Sequence, residues 1–307
     1  MKVLITGGAG FIGHNVALHL EGRGYDVSIV DSMERSSKHA LRRLEGFNVR
    51  VVRADVRTFS NYGHFDAVVH AAAYVSVEES LREPLKYIEN NSLGTARVGY
   101  ECARGGLKLI YLSSAAVYGE PLKLPVDEEH PTSPLSPYGL SKLYGEEILR
   151  NFARTYGLKH ITLRLFNVYG PGQNPAYAGV ITNFMERALK GEPLIIHGDG
   201  EQTRDFIYVG DVAKIIECLI ERDLFDNQTY NIGSGRPTTI NQLATTIRNL
   251  INKGLAITYA PARPGDIRHS VANVGRVRKL INIQTISLEE GLKKTLDQVK
   301  RDLQQGG

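Results

Sequence analysis

Short apolar runs alternate with longer amphipathic stretches from the first residue onward. Strand-like runs occur at VLIT (3–6), DVSIVD (26–31), NVRVV (48–52), DAVVH (66–70), LKLIYLS (107–113) and HITLRLF (160–166), with helical patterns near 12–23, 85–104 and 138–156. Runs that are apolar on both faces need cover on each side, and intervening helices supply it. This is the sequence signature of a buried parallel sheet, and it predicts an α/β doubly wound first half.

After Phe166 the stretch NVYGPGQNPAYAG is dense in Gly, Pro and Asn; it is expected to be irregular and to mark a boundary. Shorter elements follow: a helix at 180–190, strands near 194–197 and 204–208, a helix at 211–222, a strand at 228–232, and helices at 239–252 and 287–301. The expected organisation is a Rossmann-type doubly wound domain over 1–166 and a smaller C-terminal α/β substrate domain over 167–307. The helix and strand of 211–232 belong either to the smaller unit or to the main sheet.

Composition excludes more than it identifies. Hydrophobic residues are 42% and charged residues 23% of 307, ordinary for a globular chain and unlike a disordered or coiled-coil one. The net charge of +4 is spread without a like-charged block, so no nucleic-acid partner is indicated, and an anionic small molecule suits it equally well. Cys102 and Cys218 are far apart and lack C-x-x-C spacing, giving neither a zinc site nor a disulfide framework. The nine histidines show no clustered ligand spacing, so no metal is expected. With no signal-like N-terminus and no apolar run near the roughly 20 residues of a membrane span, a cytoplasmic protein is expected.

Chemistry enters at Thr6-Gly7-Gly8-Ala9-Gly10-Phe11-Ile12-Gly13, between the first strand and first helix. Glycines at 7, 10 and 13 let the backbone turn and approach a pyrophosphate, whose charge meets the N-terminus of the next helix. A glycine turn that binds nothing is the plain reading of this loop alone. Asp31 changes it: ending the second strand, its carboxylate can accept from adenosine ribose hydroxyls and repels a 2′-phosphate, which favours NAD. Arg35, close downstream, leaves NADP open. Asp55, after the third strand, either bonds the adenine or caps a following helix.

Ser114 ends the fifth strand, and Tyr138 and Lys142 stand four apart on a predicted helix. That spacing puts both on one face, where an ammonium favours the phenolate and lowers its pKa from about 10. The Ser114 hydroxyl can then bond the substrate oxygen whose proton Tyr138 removes. A Tyr-x-x-x-Lys pair by itself is an ordinary helix surface; the strand-end serine and the dinucleotide loop give it meaning. Glu128-Glu129 and Glu146-Glu147 read as solvated faces. Ser113 lacks a G-x-S-x-G elbow, so a serine hydrolase is dropped.

Together, TGGAGFIG, HAAAYVSVEES, NNSLGT, SSAAVYG, YGLSK, RLFNVYGPGQ, RDFIYVGDVA, YNIGSG and RPGD resemble the extended short-chain dehydrogenase/reductase family, and within it the sugar-nucleotide 4-epimerases. The resemblance implies a catalytic triad of Ser114, Tyr138 and Lys142. It implies NAD held by Gly7, Gly10, Phe11, Ile12, Gly13, Asp31, Asp55, Val56, Ala71, Ala72, Ala73, Asn90, Tyr138, Lys142 and Phe166. For the sugar nucleotide it implies Ser114, Asn167, Val180, Ile181, His197, Arg204, Arg263 and Asp266. His197 is either beside the uracil or an ordinary strand residue.

Related 4,6-dehydratases carry an acidic pair after the strand-end Ser or Thr, and the decarboxylases a Glu before Val-Tyr-Gly; here Ala115 and Ala116 stand there. The resemblance therefore implies NAD-dependent C4 epimerisation of a UDP-hexose, UDP-glucose and UDP-galactose, through a 4-keto sugar. UDP-glucuronate and UDP-N-acetylhexosamines are alternative substrates, the latter because Ser270 is small where some relatives carry an aromatic. A non-catalytic NAD-binding protein is the remaining alternative, and the intact triad argues against it. The helices near 85–104 and 138–156 resemble those that pair in family homodimers.

Overall fold

The computed structural model describes residues 1–36, 38–173, 179–262 and 267–305. The chain opens with β1 (Lys2–Thr6), α1 (Phe11–Glu21), β2 (Asp26–Asp31), α2 (Lys38–Leu44), β3 (Val49–Arg53) and β4 (Ala67–His70). α3 (Val77–Arg82) and α4 (Pro84–Tyr87) follow, and a π-helical turn (Ile88–Leu93) runs into α5 (Gly94–Gly105). β5 (Lys108–Ser114), α6 (Pro137–Tyr156) and β6 (Lys159–Leu165) complete the first half.

The second half adds β7 (Asn167–Tyr169), α7 (Val180–Leu189), β8 (Leu194–His197), β9 (Thr203–Tyr208), α8 (Val209–Glu221) and β10 (Thr229–Ile232). It ends with β11 (Pro237–Thr239), α9 (Ile240–Ile251), β12 (Ile257–Ala260), β13 (His269–Ser270), α10 (Gly275–Leu280) and α11 (Leu288–Gln305).

Seven strands make one parallel sheet, ordered β10-β6-β5-β4-β1-β2-β3. Side chains alternate across it, as the twofold period of a strand requires. Val3, Ile5 and Ile29 pack in one cluster with Val16 and Leu20 of α1 and Val212 and Ile216 of α8. Leu4, Val68 and Leu109 pack in another with Val98 of α5 and Leu149 of α6. Strand order reverses between β1 and β4, and ligands of such sheets bind at the carboxyl ends beside that reversal.

All six first-half strands lie where the apolar runs predict them, and the strand expected at 228–232 joins the main sheet, Thr229 opposite Thr162. The stretch after Phe166 is not irregular throughout: Asn167–Tyr169 is a strand, registered against Phe206–Tyr208 of β9. β9 also pairs with β11 and β13, while β8 pairs with β12. The one continuous helix expected over 85–104 is interrupted by its π-helical turn, and α2 and α3 are helices the pattern does not predict.

Candidate active site

A cavity of about 410 Å³ lies along the carboxyl ends of the main sheet. Its walls include Gly7, Gly10, Phe11, Ile12, Gly13, Asp31, Asp55, Val56, Ala71, Ala72, Ala73 and Asn90 on the expected cofactor side. Ser114, Tyr138, Lys142, Phe166 and Asn167 line the same cavity. Sequence positions up to 160 apart are thus gathered into one cleft.

The glycine loop is built for close approach. Gly7 sits at φ +68, and a Cβ on it would stand 2.6 Å from the Ala72 backbone. A Cβ on Gly13 would stand 2.2 Å from the Gly7 carbonyl oxygen, so α1 seats against the loop only through glycine. No side chain caps the N-terminus of α1, leaving that end of the helix dipole to an anion.

Asp31 is held by backbone donors, Met33 N–H at 2.8 Å and Ala9 N–H at 3.0 Å. A carboxylate has about four acceptor positions, so two such donors leave room for ribose hydroxyls. Burial raises the Asp31 pKa against those two hydrogen bonds, and further donors would offset the cost of holding the charge there. This loop and carboxylate fit a dinucleotide.

Asp55 lines the cavity, but its carboxylate is clasped by Arg57, whose Nε lies 3.0 Å from each oxygen and whose Nη2 lies 2.6 Å from one. Arg57 holds its pKa below the ordinary range. The residues that follow form a turn, not a helix for Asp55 to cap.

At the other end, Ser136 caps α6 by accepting from Gly139 N–H, and Pro137 takes the first helical position. This fixes where the helix begins, and so where Tyr138 and Lys142 face. Tyr138 and Ser114 line the same cavity, and the Ser114 hydroxyl favours the Tyr138 phenolate. Lys142 is buried; its Nζ donates to the Leu112 carbonyl at 2.8 Å and stands 5.1 Å from the Tyr111 ring centroid.

The electrostatics depart from expectation here. Burial raises the Tyr138 pKa, opposed by the Ser114 hydroxyl. Burial likewise lowers Lys142 to about 7, opposed by the charge of Glu146. In the chain alone both groups lean towards their neutral forms, because desolvation penalises each charge more than the neighbour repays. The lowered phenol pKa expected from the four-residue spacing is therefore not a property of the Tyr138 and Lys142 pair by itself.

Glu146 is not on a solvated face. It is buried, accepts from Ser113 Oγ at 2.5 Å, and pairs with Arg164, Nη2 at 2.6 Å and Nε at 3.0 Å from its two oxygens. Glu128 is likewise inside, accepting from the Asn231 N–H at 2.8 Å, whereas Glu129 and Glu147 are exposed. Paired acidic letters say nothing of which one turns inward; here each pair splits.

Asn91 was not singled out by the sequence, although NNSLGT contains it. Within the π-helical turn its side chain accepts from Tyr74 N–H at 2.8 Å and donates to Tyr74 O at 3.0 Å and Ser141 Oγ at 2.9 Å. It fastens the Ala71–Ala73 wall to α6, in a turn type often found beside functional sites. The adjacent Asn90 lines the cavity and donates to Asn91.

Of the remaining substrate candidates, the described ones, Val180, Ile181, His197 and Arg204, are not among the residues that line the cavity. Val180 opens α7 beside Gly179, which lines the cavity, and Ile181 is buried in the second-half core with Phe184 and Leu243. His197 ends β8 and bonds the Pro261 carbonyl through Nδ1 at 3.2 Å. Arg204, on β9, donates to the Thr203 carbonyl at 2.9 Å. Arg263 and Asp266 lie outside the described residues. Among the described residues no three His, Cys, Asp or Glu side chains gather to hold a metal, and no helix is long and apolar enough to cross a membrane.

Residues 3–233 match the model of the NAD dependent epimerase/dehydratase family. The chain is similar to a solved UDP-glucose 4-epimerase of Thermotoga maritima, 37% identical with a TM-score of 0.91, over 99% of this chain and 100% of that one. A UDP-N-acetylglucosamine 4-epimerase of Methanobrevibacter ruminantium is 34% identical with a TM-score of 0.91, covering 98% of each chain. A UDP-glucose 4-epimerase of Azospirillum brasilense is 33% identical over 302 residues, 91% of this chain and 85% of that protein.

Proposed function

Since the chain belongs to the NAD dependent epimerase/dehydratase family, with NAD as that family's cofactor, we propose that it interconverts UDP-glucose and UDP-galactose by inverting C4. The observation that carries the reading is the makeup of the cleft. Ser114, Tyr138 and Lys142 line it, and among the described lining residues the carboxylates are Asp31, which ends β2, and Asp55, which follows β3, strands separated from β5 by β4 and β1. Ala115 and Ala116 form the short turn after Ser114, so nothing there offers the acid and base that elimination across C5–C6 requires.

Bound NAD supplies a hydride acceptor and donor for C4 and a positive charge beside the phenol. Tyr138 takes the proton from the 4-hydroxyl, Ser114 hydrogen-bonds the same oxygen, and Lys142, fixed by the Leu112 carbonyl, favours the phenolate only together with the positive charge the bound cofactor would add. The resulting 4-keto sugar turns to present its opposite face before Tyr138 returns the proton. Gly7, Gly10, Phe11, Ile12, Gly13 and Asp31 hold the dinucleotide, aided by Asp55, Val56, Ala71, Ala72, Ala73, Asn90 and Phe166. Asn167, Val180, Ile181, His197, Arg204, Arg263 and Asp266 are the proposed contacts to the sugar nucleotide.

A second reading, C4 epimerisation of UDP-N-acetylhexosamine, draws on the small Ser270, placed opposite Arg204 on β13, and on the likeness to the Methanobrevibacter enzyme. The proposed protein is cytoplasmic and homodimeric through α5 and α6, which expose Tyr100, Tyr144 and Tyr156. Purified protein incubated with UDP-galactose and no added NAD should yield UDP-glucose. UDP-N-acetylglucosamine as sole product-forming substrate would favour the second reading, and no C4 epimer from either would overturn both.

A further inference from the structure

Arg35 is the cation that left NADP open, and the structure gives it a fixed occupation. Its Nη1 donates to Glu79 Oε2 at 2.7 Å and its Nη2 to Glu79 Oε1 at 2.6 Å, a bidentate pair with both side chains largely buried. The guanidinium lies 3.7 Å from the centroid of the Tyr74 ring. Tyr74 is held in turn by its hydroxyl, which donates to Glu34 at 2.5 Å.

Glu79 is also pinned. Its N–H donates to the Ser76 side chain at the start of α3, and its Oε2 accepts from Tyr87 at 3.0 Å. Lys86 stands 3.5 Å away. Arg35 and Glu79 sit 44 positions apart in sequence; Arg35 lines the cavity with Asp31, Ser32, Tyr74 and Val75, whereas Glu79 is not among the lining residues.

We propose that Glu79 is a specificity-determining residue for the cofactor, holding Arg35 on Tyr74 and α3 so that no guanidinium is offered to a 2′-phosphate beside Asp31. Asp31 repels that phosphate, and Glu79 withholds the cation that would compensate. An Arg fork fits carboxylate and phosphate alike, so the two compete for the same face of the side chain. This rests on the dinucleotide reading of the cavity and goes beyond it, since Glu79 touches no part of the glycine loop.

The test is fluorescence titration of NADH and NADPH into the full-length protein stripped of nucleotide. Glu79→Gln keeps shape and removes the charge; NADPH should bind about tenfold tighter, the size of one charge-assisted hydrogen bond, with NADH changed less than about threefold. Arg35→Leu alone should leave the NADPH to NADH ratio within about twofold of the parent, because the parent Arg35 is already engaged. Arg35→Leu combined with Glu79→Gln should show no gain. An unchanged ratio in Glu79→Gln, a gain that survives the double substitution, or a selective loss of NADPH in Arg35→Leu each overturns the proposal. If the parent binds neither nucleotide, the cofactor reading falls and this proposal with it.

Discussion

Replacing Arg164 by Met would leave the Glu146 carboxylate charged in the interior without its partner. The two side chains are 5% and 1% exposed, joined by contacts of 2.6 and 3.0 Å, and Glu146 also takes the Ser113 hydroxyl at 2.5 Å. Removing one member of such a pair costs about 3–5 kcal/mol, against less than about 1 for an exposed pair. At roughly 2 °C per kcal/mol for a chain of this size, the melting temperature should fall by about 6–10 °C. Arg164→Met with Glu146→Leu removes both charges and should recover much of the loss, apart from about 1 kcal/mol for the stranded Ser113 hydroxyl. Urea denaturation of the parent, both single variants and the double variant gives the coupling energy. A single-variant cost under about 1 kcal/mol, or simple additivity, would refute the reasoning. Ser113 adjoins Ser114 and Glu146 lies one turn beyond Lys142, so the same variants should also lower kcat.

Tyr138→Phe should cut turnover by roughly 10²–10⁴-fold while bound dinucleotide, released by heating and read by absorbance, stays at the parent level; retained turnover would remove Tyr138 from the mechanism. Gly13→Ala drives a Cβ into the Gly7 carbonyl; copurifying dinucleotide should be largely lost and activity fall about 10²-fold, and parental cofactor content would contradict the close-packed loop. Burial depresses His70 to about 3 and His160 to about 4. A histidine held neutral stabilises the fold above its unfolded pKa of about 6.5, a contribution lost as pH falls towards the folded value. Unfolding free energy should therefore drop between about pH 6.5 and 4; His70→Gln should flatten the slope, and an unchanged slope would assign it elsewhere.

The sheet was readable because a parallel strand buried on both faces is an unbroken apolar word, and VLIT and DVSIVD are such words. β7, β11 and β13 are not: Asn167–Tyr169, Pro237–Thr239 and His269–Ser270 span two or three residues, too few to show a period. They are strands because β9 provides partners, a fact held by pairs of residues tens of positions apart. The return of Thr229–Ile232 to the main sheet has the same character. TYNI reads as a strand anywhere, and only the free edge of β6 gives it a place.

The site divides along the same line. Gly7, Gly13, Asp31, Ser114, Tyr138 and Lys142 are legible because each needs a specific residue type at a set distance from a strand or helix end. Glu79, Glu146, Asn91 and Arg57 act through partners that sequence spacing does not bring together, or, for Arg57, through a carboxylate whose role had two readings. The pKa values belong wholly to this second class. Four-residue spacing makes Lys142 and Tyr138 neighbours, but their protonation depends on how dry the cleft is, and dryness is set by packing from β4, β5 and α6 at once. Burial pushes the phenol up and the ammonium down, so a proton moving between them changes net charge little while a lone charge on either costs much. In the proposed reaction a further cation beside them, as NAD would bring, favours the phenolate. On the mechanism proposed above, catalytic readiness is tied to cofactor occupancy.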